Sequence, residues 1–199
     1  MIFSKKIKDN RIKYYMFGMK IFSYPLKTIS FEKNKIKIHK NIKASIHIVG
    51  SDNIISVMEQ KMCHNLSVFI HGNNNKIVID SENHIDNLDI RIGNHFPINN
   101  SSIYISHKSW FGGLRIVLEE DNSKISISDD CVFSTDVLIR CGEYPHLIFE
   151  KKSGKYLASP TNLSIGKHVW CGEGAVLLTH SQIPSGCIVG TKAVVTKKF

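Results

Sequence analysis

The sequence lacks the cysteine pattern of a disulfide-stabilised protein. Its 199 residues contain five cysteines, an odd number, and no Cys-x-x-Cys pair. Because disulfide frameworks need paired cysteines, we expect reduced thiols in a protein of the cytoplasm. No apolar run is long enough to cross a bilayer, and the lysine-rich N-terminus lacks the apolar stretch of a signal peptide.

Acidic residues are scarce relative to basic ones. The chain has 17 Asp and Glu against 26 Lys and Arg, which gives a formal net charge of +9. This excess of positive charge predicts an anionic partner. Charge alone leaves nucleic acid, a membrane surface, a phosphorylated cofactor and an acidic glycan open. The hydrophobic content of 42% is ordinary for a globular chain with one core.

A period of six residues runs through the C-terminal part of the chain. Stepping by six from Ile165 meets only apolar residues, which are Cys171, Leu177, Ile183, Val189 and Val195. The same step from Val169 meets only small residues, which are Ala175, Ser181, Cys187 and Ala193. Neither an α-helix nor a half-buried strand gives this period. It is typical of a parallel β-helix in which each hexapeptide forms a short strand and a turn.

The period of six breaks once. After the hexad at Ile139 the next one begins at Ile165, which lies 26 residues later. Because 26 is not a multiple of six, a loop of about residues 141–162 must leave the coil. Loops extruded from a rigid scaffold often carry functional residues. The candidates in this loop are Glu143, Tyr144 and His146.

Two segments precede the regular hexads. Residues 42–127 alternate short apolar stretches with Asn- and Gly-rich turns, so we expect irregular coils there and one β-helix domain over residues 41–199. Residues 1–40 are rich in lysine and aromatic residues and can form a short helix ending near Pro25. We expect this segment to cap the β-helix. The alternative is a basic segment that contacts an anionic membrane or an acidic polymer.

The run from Ile127 to Phe199 resembles the hexapeptide-repeat acyltransferases of the left-handed β-helix type. It is most similar to O-acetyltransferases of capsular or cell-surface sugars and to galactoside and maltose acetyltransferases. The spacing between His146 and Trp170 is also that of the family. The matching segments are ISISDDCVFSTDVLIR, the Pro-His pair of the loop, LSIGKHVWCGEGAVLL and IVGTKAVVTKKF.

The resemblance implies an all-β, left-handed parallel β-helix. It further implies acetyl-CoA as the acetyl donor without a metal, a sugar or polysaccharide acceptor rather than a nucleic acid, and a homotrimer with active sites between subunits. The family positions that contact coenzyme A fall on Thr191, Thr196 and Lys197. The neighbouring Lys192 can share the contact with the phosphates.

Acetyl transfer from a thioester to an alcohol requires the alcohol to lose its proton as it attacks. A neutral histidine suits that task, so we expect His146 to be the general base. The family often places an orienting carboxylate two residues before this histidine, where this chain has Tyr144. The orienting acid therefore stays open between Glu143 and a rival from the preceding coil, Glu119 or Glu120.

The remaining site assignments concern the two substrates. Trp170 is the candidate wall of the thioester site, through ring packing or its indole N–H. The adjacent Trp110 and Phe111 can stack on a sugar ring, and Glu143 and Tyr144 are further candidates for substrate contact. The positive charge favours an anionic acceptor such as sialic acid or polysialic acid, with a neutral surface sugar as the alternative.

Two other functions are compatible with a β-helix. A zinc enzyme of the γ-class carbonic anhydrase type would need histidines that converge from neighbouring coils, for which His146, His168 and His180 are the candidates. A non-catalytic β-helix that binds a glycan or scaffolds a partner would need only the hexads.

Overall fold

The computed structural model describes residues 33–142, 148–157 and 162–198 with their side chains, and the backbone of four strands before them. The strands of the N-terminal half are β1 (Phe3–Lys8), β2 (Arg11–Met16), β3 (Met19–Pro25), β4 (Ile29–Phe31), β5 (Asn34–Ile38), β6 (Ala44–Val49), β7 (Ile54–Val57), β8 (Met62–His71), β9 (Lys76–Ile79) and β10 (His84–Ile92). The strands that follow are β11 (Ser102–Ile105), β12 (Trp110–Phe111), β13 (Leu114–Leu118), β14 (Lys124–Ile127), β15 (Val132–Phe133), β16 (Val137–Cys141), β17 (Asn162–Ile165), β18 (Trp170–Cys171), β19 (Val176–Leu177), β20 (Gln182–Ile183), β21 (Ile188–Val189) and β22 (Val194–Val195).

The strands wind into a parallel β-helix of about seven coils with three faces. The first face consists of β5, β7, β9, β11, β14, β17 and β20. The second consists of the N-terminal parts of β8 and β10, followed by β12, β15, β18 and β21. The third consists of β6, the C-terminal parts of β8 and β10, β13, β16, β19 and β22. We number the corners by the face that precedes each of them, so the chain returns from the third face to the first through the third corner.

The six-residue period corresponds to the packing of the core. The large apolar positions point inward, stack in parallel register from coil to coil, and are at most 6% exposed. The small positions lie at the corners beside them, where Val169, Ala175 and Ser181 are buried. Cys187 and Ala193, in the last coils, are half-buried. The predicted β-helix is therefore confirmed. The inward hexad residues are Ile127, Phe133, Ile139, Ile165, Cys171, Leu177, Ile183, Val189 and Val195.

The corners repeat a left-handed backbone conformation every six residues. Positive φ angles occur at Asp130, Asp136, Gly142, His168, Gly174, His180, Gly186 and Lys192. In the N-terminal coils the third corner is also stabilised by buried amides that bond from coil to coil. Asn53 donates to Asn34 and Asn75 donates to Asn53, with side-chain distances of 3.0 and 3.1 Å. These bonds pair polar groups that the core would otherwise leave unsatisfied.

The short helix expected before Pro25 was wrong, because this segment forms strands. β1 pairs antiparallel with β2, and β2 pairs antiparallel with β3. β1 also pairs antiparallel with β6, which extends the third face beyond its first coil. The segment alternates lysine with Ile, Tyr and Phe, which favour strands, and the exposed edge of β6 supplies a template for pairing. On the first face, β4 pairs antiparallel with β5 in the same way.

The predicted break in the period lies between β16 and β17. β16 ends at Cys141 and β17 begins at Asn162, and the register resumes with Ile127 opposite Ile165. We call residues 143–161 the tongue, and its described part, residues 148–157, the tongue hairpin. Within the described residues, no helix is long and apolar enough to cross a membrane.

Candidate active site

The tongue leaves the β-helix at the third corner through a tightly packed glycine. Gly142 has a φ of 98°, and a Cβ at this position would lie 2.4 Å from the carbonyl carbon of Glu119. Its N–H donates to Oγ1 of Thr179 in the following coil at 3.1 Å. The glycine therefore fixes where the tongue begins, because a side chain here would collide with the backbone of the coil below.

Beside this glycine a buried carboxylate joins three coils. The Glu119 side chain is 1% exposed and follows directly after β13. Its Oε1 lies 2.9 Å from Nδ1 of His95, and its Oε2 accepts a hydrogen bond from the Arg140 guanidinium. Burying a carboxylate is costly unless it is paired, and Arg140 supplies the pairing charge. The bond to Nδ1 orients the half-exposed His95 ring and leaves its other nitrogen for further contacts.

The adjacent Glu120 anchors the tongue hairpin. Its Oε2 accepts a hydrogen bond of 3.1 Å from the hydroxyl of Tyr156. The two candidate orienters from the preceding coil thus have distinct contacts, Glu119 with His95 and Arg140, and Glu120 with the tongue. His146, Glu143 and Tyr144 lie outside the described residues, so their predicted roles remain predictions.

The tongue hairpin is a short antiparallel turn. Phe149 and Tyr156 form an antiparallel bridge, and their rings contact each other with centroids 5.5 Å apart. The N–H of Glu150 donates to the carbonyl of Lys155 at 2.8 Å, and the N–H of Leu157 donates to the carbonyl of Ile148 at 2.9 Å. In the sequence this hairpin follows directly after the segment that contains His146.

Trp170 lies on the outside of the second face, at the start of β18. Its side chain is 49% exposed, and its indole N–H donates to Oγ of Ser134 at 3.3 Å. It pairs in register with Val132 below and Ile188 above, which are also exposed. The ring therefore forms part of an apolar strip along the second face. Within one chain the third face separates Trp170 from the corner where the tongue leaves.

The predicted aromatic pair divides between surface and core. Trp110 is 48% exposed and stacks on the His84 ring, with centroids 5.2 Å apart and an interplanar angle of 9°. Phe111 is completely buried and stacks on Phe133 inside the β-helix. Adjacent residues of a strand point to opposite faces, so only one of the two can meet a ligand. The predicted contact of Phe111 with a sugar is incompatible with this position, whereas Trp110 is accessible.

The four residues of the last coils that were predicted to contact coenzyme A are exposed and lie at two corners. Thr191 and Lys192 follow β21 at the second corner, where the N–H of Lys192 donates to the Glu173 carbonyl at 2.9 Å. Thr196 and Lys197 follow β22 at the third corner. The side chains of Lys192 and Lys197 are exposed, and their ammonium groups suit the phosphates of a nucleotide-containing acetyl donor.

The histidines proposed for a zinc site occupy different corners. His168 lies at the first corner, where its Nδ1 is 2.8 Å from Oδ2 of Asp130. His180 lies at the third corner, after β19, and His146 is outside the described residues. Among the residues described, no group of three or more His, Cys, Asp or Glu side chains is arranged to hold a metal ion.

The sequence analysis missed two features at or near the third corner. His95 and Arg140 meet at Glu119 from different coils, and no local motif marks their convergence. The lysines of the tongue hairpin were also overlooked, although their clustering in the sequence was a visible signal. These lysines are Lys151, Lys152 and Lys155.

Comparisons with known proteins point to one class of relatives. No protein-family model matches the chain. Over 146 residues it is 26% identical to the polysialic acid O-acetyltransferase of Neisseria meningitidis. This alignment covers 65% of this chain and 67% of that protein. The solved structure of the polySia-specific acetyltransferase NeuO matches with a TM-score of 0.58 at 22% identity, over 78% of each chain. The solved structure of the polysialic acid O-acetyltransferase OatWY matches with a TM-score of 0.51 at 24% identity, over 76% of this chain and 79% of the OatWY chain.

The two solved structures support the β-helix, and the curated relative adds a sequence match over most of its length. The structural matches agree with the parallel β-helix of the described residues. In sequence and in fold, the chain is therefore similar to the hexapeptide-repeat acyltransferases, and among them to sugar O-acetyltransferases.

Proposed function

We propose that the protein is an O-acetyltransferase that transfers an acetyl group from acetyl-CoA to a hydroxyl of a sugar. The observation that carries this proposal is the sequence match to a polysialic acid O-acetyltransferase. The acceptor we favour is an anionic surface glycan such as sialic or polysialic acid, because the chain has a net charge of +9. We place the enzyme in the cytoplasm.

His146 is the proposed general base. As the sugar hydroxyl attacks the thioester carbonyl, a C–O bond forms and the imidazole takes the hydroxyl proton. A hydrogen-bond donor stabilises the tetrahedral oxyanion. When the intermediate collapses, the C–S bond breaks and the imidazolium returns the proton to the departing thiolate of coenzyme A. A metal is not needed for this proton transfer.

The donor is proposed to lie between Trp170 and the basic C-terminal coils. The exposed indole of Trp170 can pack on the pantetheine arm, and the ammonium groups of Lys192 and Lys197 can pair with the phosphates. Thr191 and Thr196 add hydroxyl groups at the same two corners. These side chains fit a long, phosphorylated ligand, since they are spread along the outside of the last coils.

A homotrimer would bring the two halves of the site together. Trp170 and the tongue lie on either side of the third face in one chain, so a site with both requires a neighbouring copy. The exposed apolar strip of Val132, Trp170 and Ile188 gives such a copy a surface to contact. Contact of the basic N-terminal segment with an anionic membrane remains a separate proposal.

The test is release of free coenzyme A from acetyl-CoA with sialic acid, polysialic acid and neutral sugars as acceptors. We expect release that depends on an anionic acceptor, and a fall of about 100-fold or more in kcat for His146→Ala. Trp170→Ala should raise the KM for acetyl-CoA. The matched control is His64→Ala, which removes an exposed histidine whose Nδ1 lies 3.1 Å from Oδ1 of Asp86.

Three outcomes would reject the proposal or part of it. If no acceptor increases coenzyme A release and acetyl-CoA does not bind, the acyltransferase function is wrong, and a metal assay tests the zinc alternative. If glycan binds without any turnover, the non-catalytic alternative is favoured. If His146→Ala retains the rate of the His64→Ala control, the reaction stands but His146 is not its base.

A further inference from the structure

The tongue hairpin carries a concentrated positive charge at its tip. Lys151, Lys152 and Lys155 lie within five residues, and all three are exposed. Among the described residues none of them forms an ion pair. Within the described hairpin, the acid Glu150 accepts a hydrogen bond from the hydroxyl of Ser153. The three ammonium groups are therefore available to an external anion.

Backbone bonds hold these lysines close together. The N–H of Gly154 donates to the carbonyl of Glu150 at 2.9 Å, and Gly154 has a φ of 66°. This left-handed glycine closes the turn tightly, so Lys151 and Lys152 lie on the turn and Lys155 lies directly after it. At the base of the hairpin, the bond from Tyr156 to Glu120 ties the stem to the β-helix. The charges thus stand on an anchored support rather than on a free chain end.

The stem below the lysines offers apolar and aromatic surface. Ile148, Phe149 and Leu157 are 57%, 53% and 53% exposed. The Phe149 ring contacts Tyr156 on one side and leaves half of its own surface to solvent. An exposed ring can pack on the apolar face of a sugar, and lysines just beyond it can pair with sugar carboxylates. This combination suits an acidic polysaccharide better than a small neutral sugar.

We propose that the tongue hairpin is the binding element for an acidic polysaccharide acceptor, with Lys151, Lys152 and Lys155 pairing with its carboxylates and Phe149 packing on a sugar ring. The inference rests on the proposed function for its choice of acceptor. His146 precedes the hairpin by two residues in the sequence, so a glycan held here lies next to the segment that carries the proposed base. Several weak ion pairs raise the affinity together only for an anion with repeating charges. Once the first carboxylate of such a polymer is bound, each further contact forms within the same complex.

The experiment measures binding of fluorescently labelled polysialic acid, and separately the KM for polysialic acid, sialic acid monomer and acetyl-CoA. The variant is K151Q/K152Q/K155Q. We expect about tenfold weaker binding of the polymer and a rise in its KM of similar size, since an exposed ion pair changes affinity by a factor of about two. The salt dependence of polymer binding should weaken. The KM for the monomer and for acetyl-CoA should change by less than about twofold.

The chain offers a matched control with the same loss of charge. K35Q/K37Q/K40Q removes three exposed lysines from the first described coil. That coil lies at the opposite end of the first face, because β5 is five strands away from β17 in the sheet order. A Phe149→Ala variant tests the aromatic contact separately, and thermal unfolding of each variant confirms that it is folded. The control should bind polysialic acid within about twofold of the wild type.

Each remaining outcome decides between the two proposals. The hairpin inference fails if the wild type does not bind the polymer, if both triple variants weaken it equally, or if the hairpin variant raises only the KM for acetyl-CoA. The last result would assign the lysines to the donor phosphates. If the hairpin variant loses binding but the wild type releases no coenzyme A with any acceptor, the hairpin inference stands and the enzymatic function fails.

Discussion

The buried asparagine side chains that bond from coil to coil at the third corner predict that two substitutions, at positions two residues apart, lower the stability by very different amounts. Asn75 is 1% exposed. Its Nδ2 donates to Oδ1 of Asn53 at 3.1 Å and to the carbonyl of Ile98 at 2.7 Å, and its Oδ1 accepts from the N–H of Ser101 at 3.0 Å. Asn75→Ala removes all three bonds and leaves the N–H of Ser101 without this acceptor.

The magnitude follows from these three bonds. A buried hydrogen bond contributes about 1 kcal/mol net, and a buried donor left unpaired costs about 1–3 kcal/mol more. We therefore expect Asn75→Ala to lower the free energy of unfolding by roughly 4–6 kcal/mol. The control is Asn73→Ala, in which the same atoms are removed from an exposed residue. Its side chain bonds to the N–H of Ser51 and to Asn99, and water can replace both, so its cost should be below about 1 kcal/mol.

Urea denaturation followed by far-UV circular dichroism measures the difference. Equal slopes for the two variants would show that only stability has changed, since the slope reports the surface exposed on unfolding. If Asn75→Ala unfolds within about 1 kcal/mol of Asn73→Ala, the reasoning is refuted, because the buried amides would then not stabilise the coils.

Three further predictions concern a turn, an aromatic pair and a thiol. Gly72→Ala should lower the free energy of unfolding by roughly 3 kcal/mol or more, since Gly72 has a φ of 136° and a Cβ there would lie 1.8 Å from the Ile98 carbonyl oxygen. Gly186→Ala, with a φ of 76° and open space around it, should cost only about 1 kcal/mol, and thermal unfolding compares the two. Phe111→Ala should cost about 3–5 kcal/mol because the ring is fully buried. Trp110→Ala should cost less than about 1 kcal/mol, and a rise in the acceptor KM would show that its exposed ring contacts the sugar. Burial raises the pKa of the Cys171 thiol to about 12. The unfolded chain releases this proton above pH of about 8.5, so stability should fall as pH rises from there towards 12. Cys171→Ala should remove that part of the alkaline loss, and an unchanged pH dependence would contradict the assignment.

The repeat itself was readable from the sequence because it is local. Each coil places an inward side chain at a fixed number of residues after the last, so the positions from Ile127 to Val195 reveal the core without knowledge of long-range contacts. The break in the period gave the tongue for the same reason. The spacing between Ile139 and Ile165 cannot be divided into whole hexads, and the coil must resume in register at Ile165 to keep its core closed.

Where the pattern was weaker, the tertiary structure made the choice. The N-terminal segment has apolar residues that fit either a helix or a strand, and pairing with the open edge of β6 decides for strands. Trp110 and Phe111 are equivalent by composition, and the direction of each side chain on β12 sends one to solvent and the other to the core.

The sequence by itself determined the β-helix, its core residues and the place where the tongue leaves. The contacts at the base of the tongue depend on the length of each coil, which sets the neighbours of a residue. His95 and Arg140 are separated from Glu119 by 24 and 21 residues, and both reach it because the coils between them have those lengths. The tertiary structure alone places these three residues around one buried carboxylate, since hydrogen bonding between coils fixes a register that no single segment encodes.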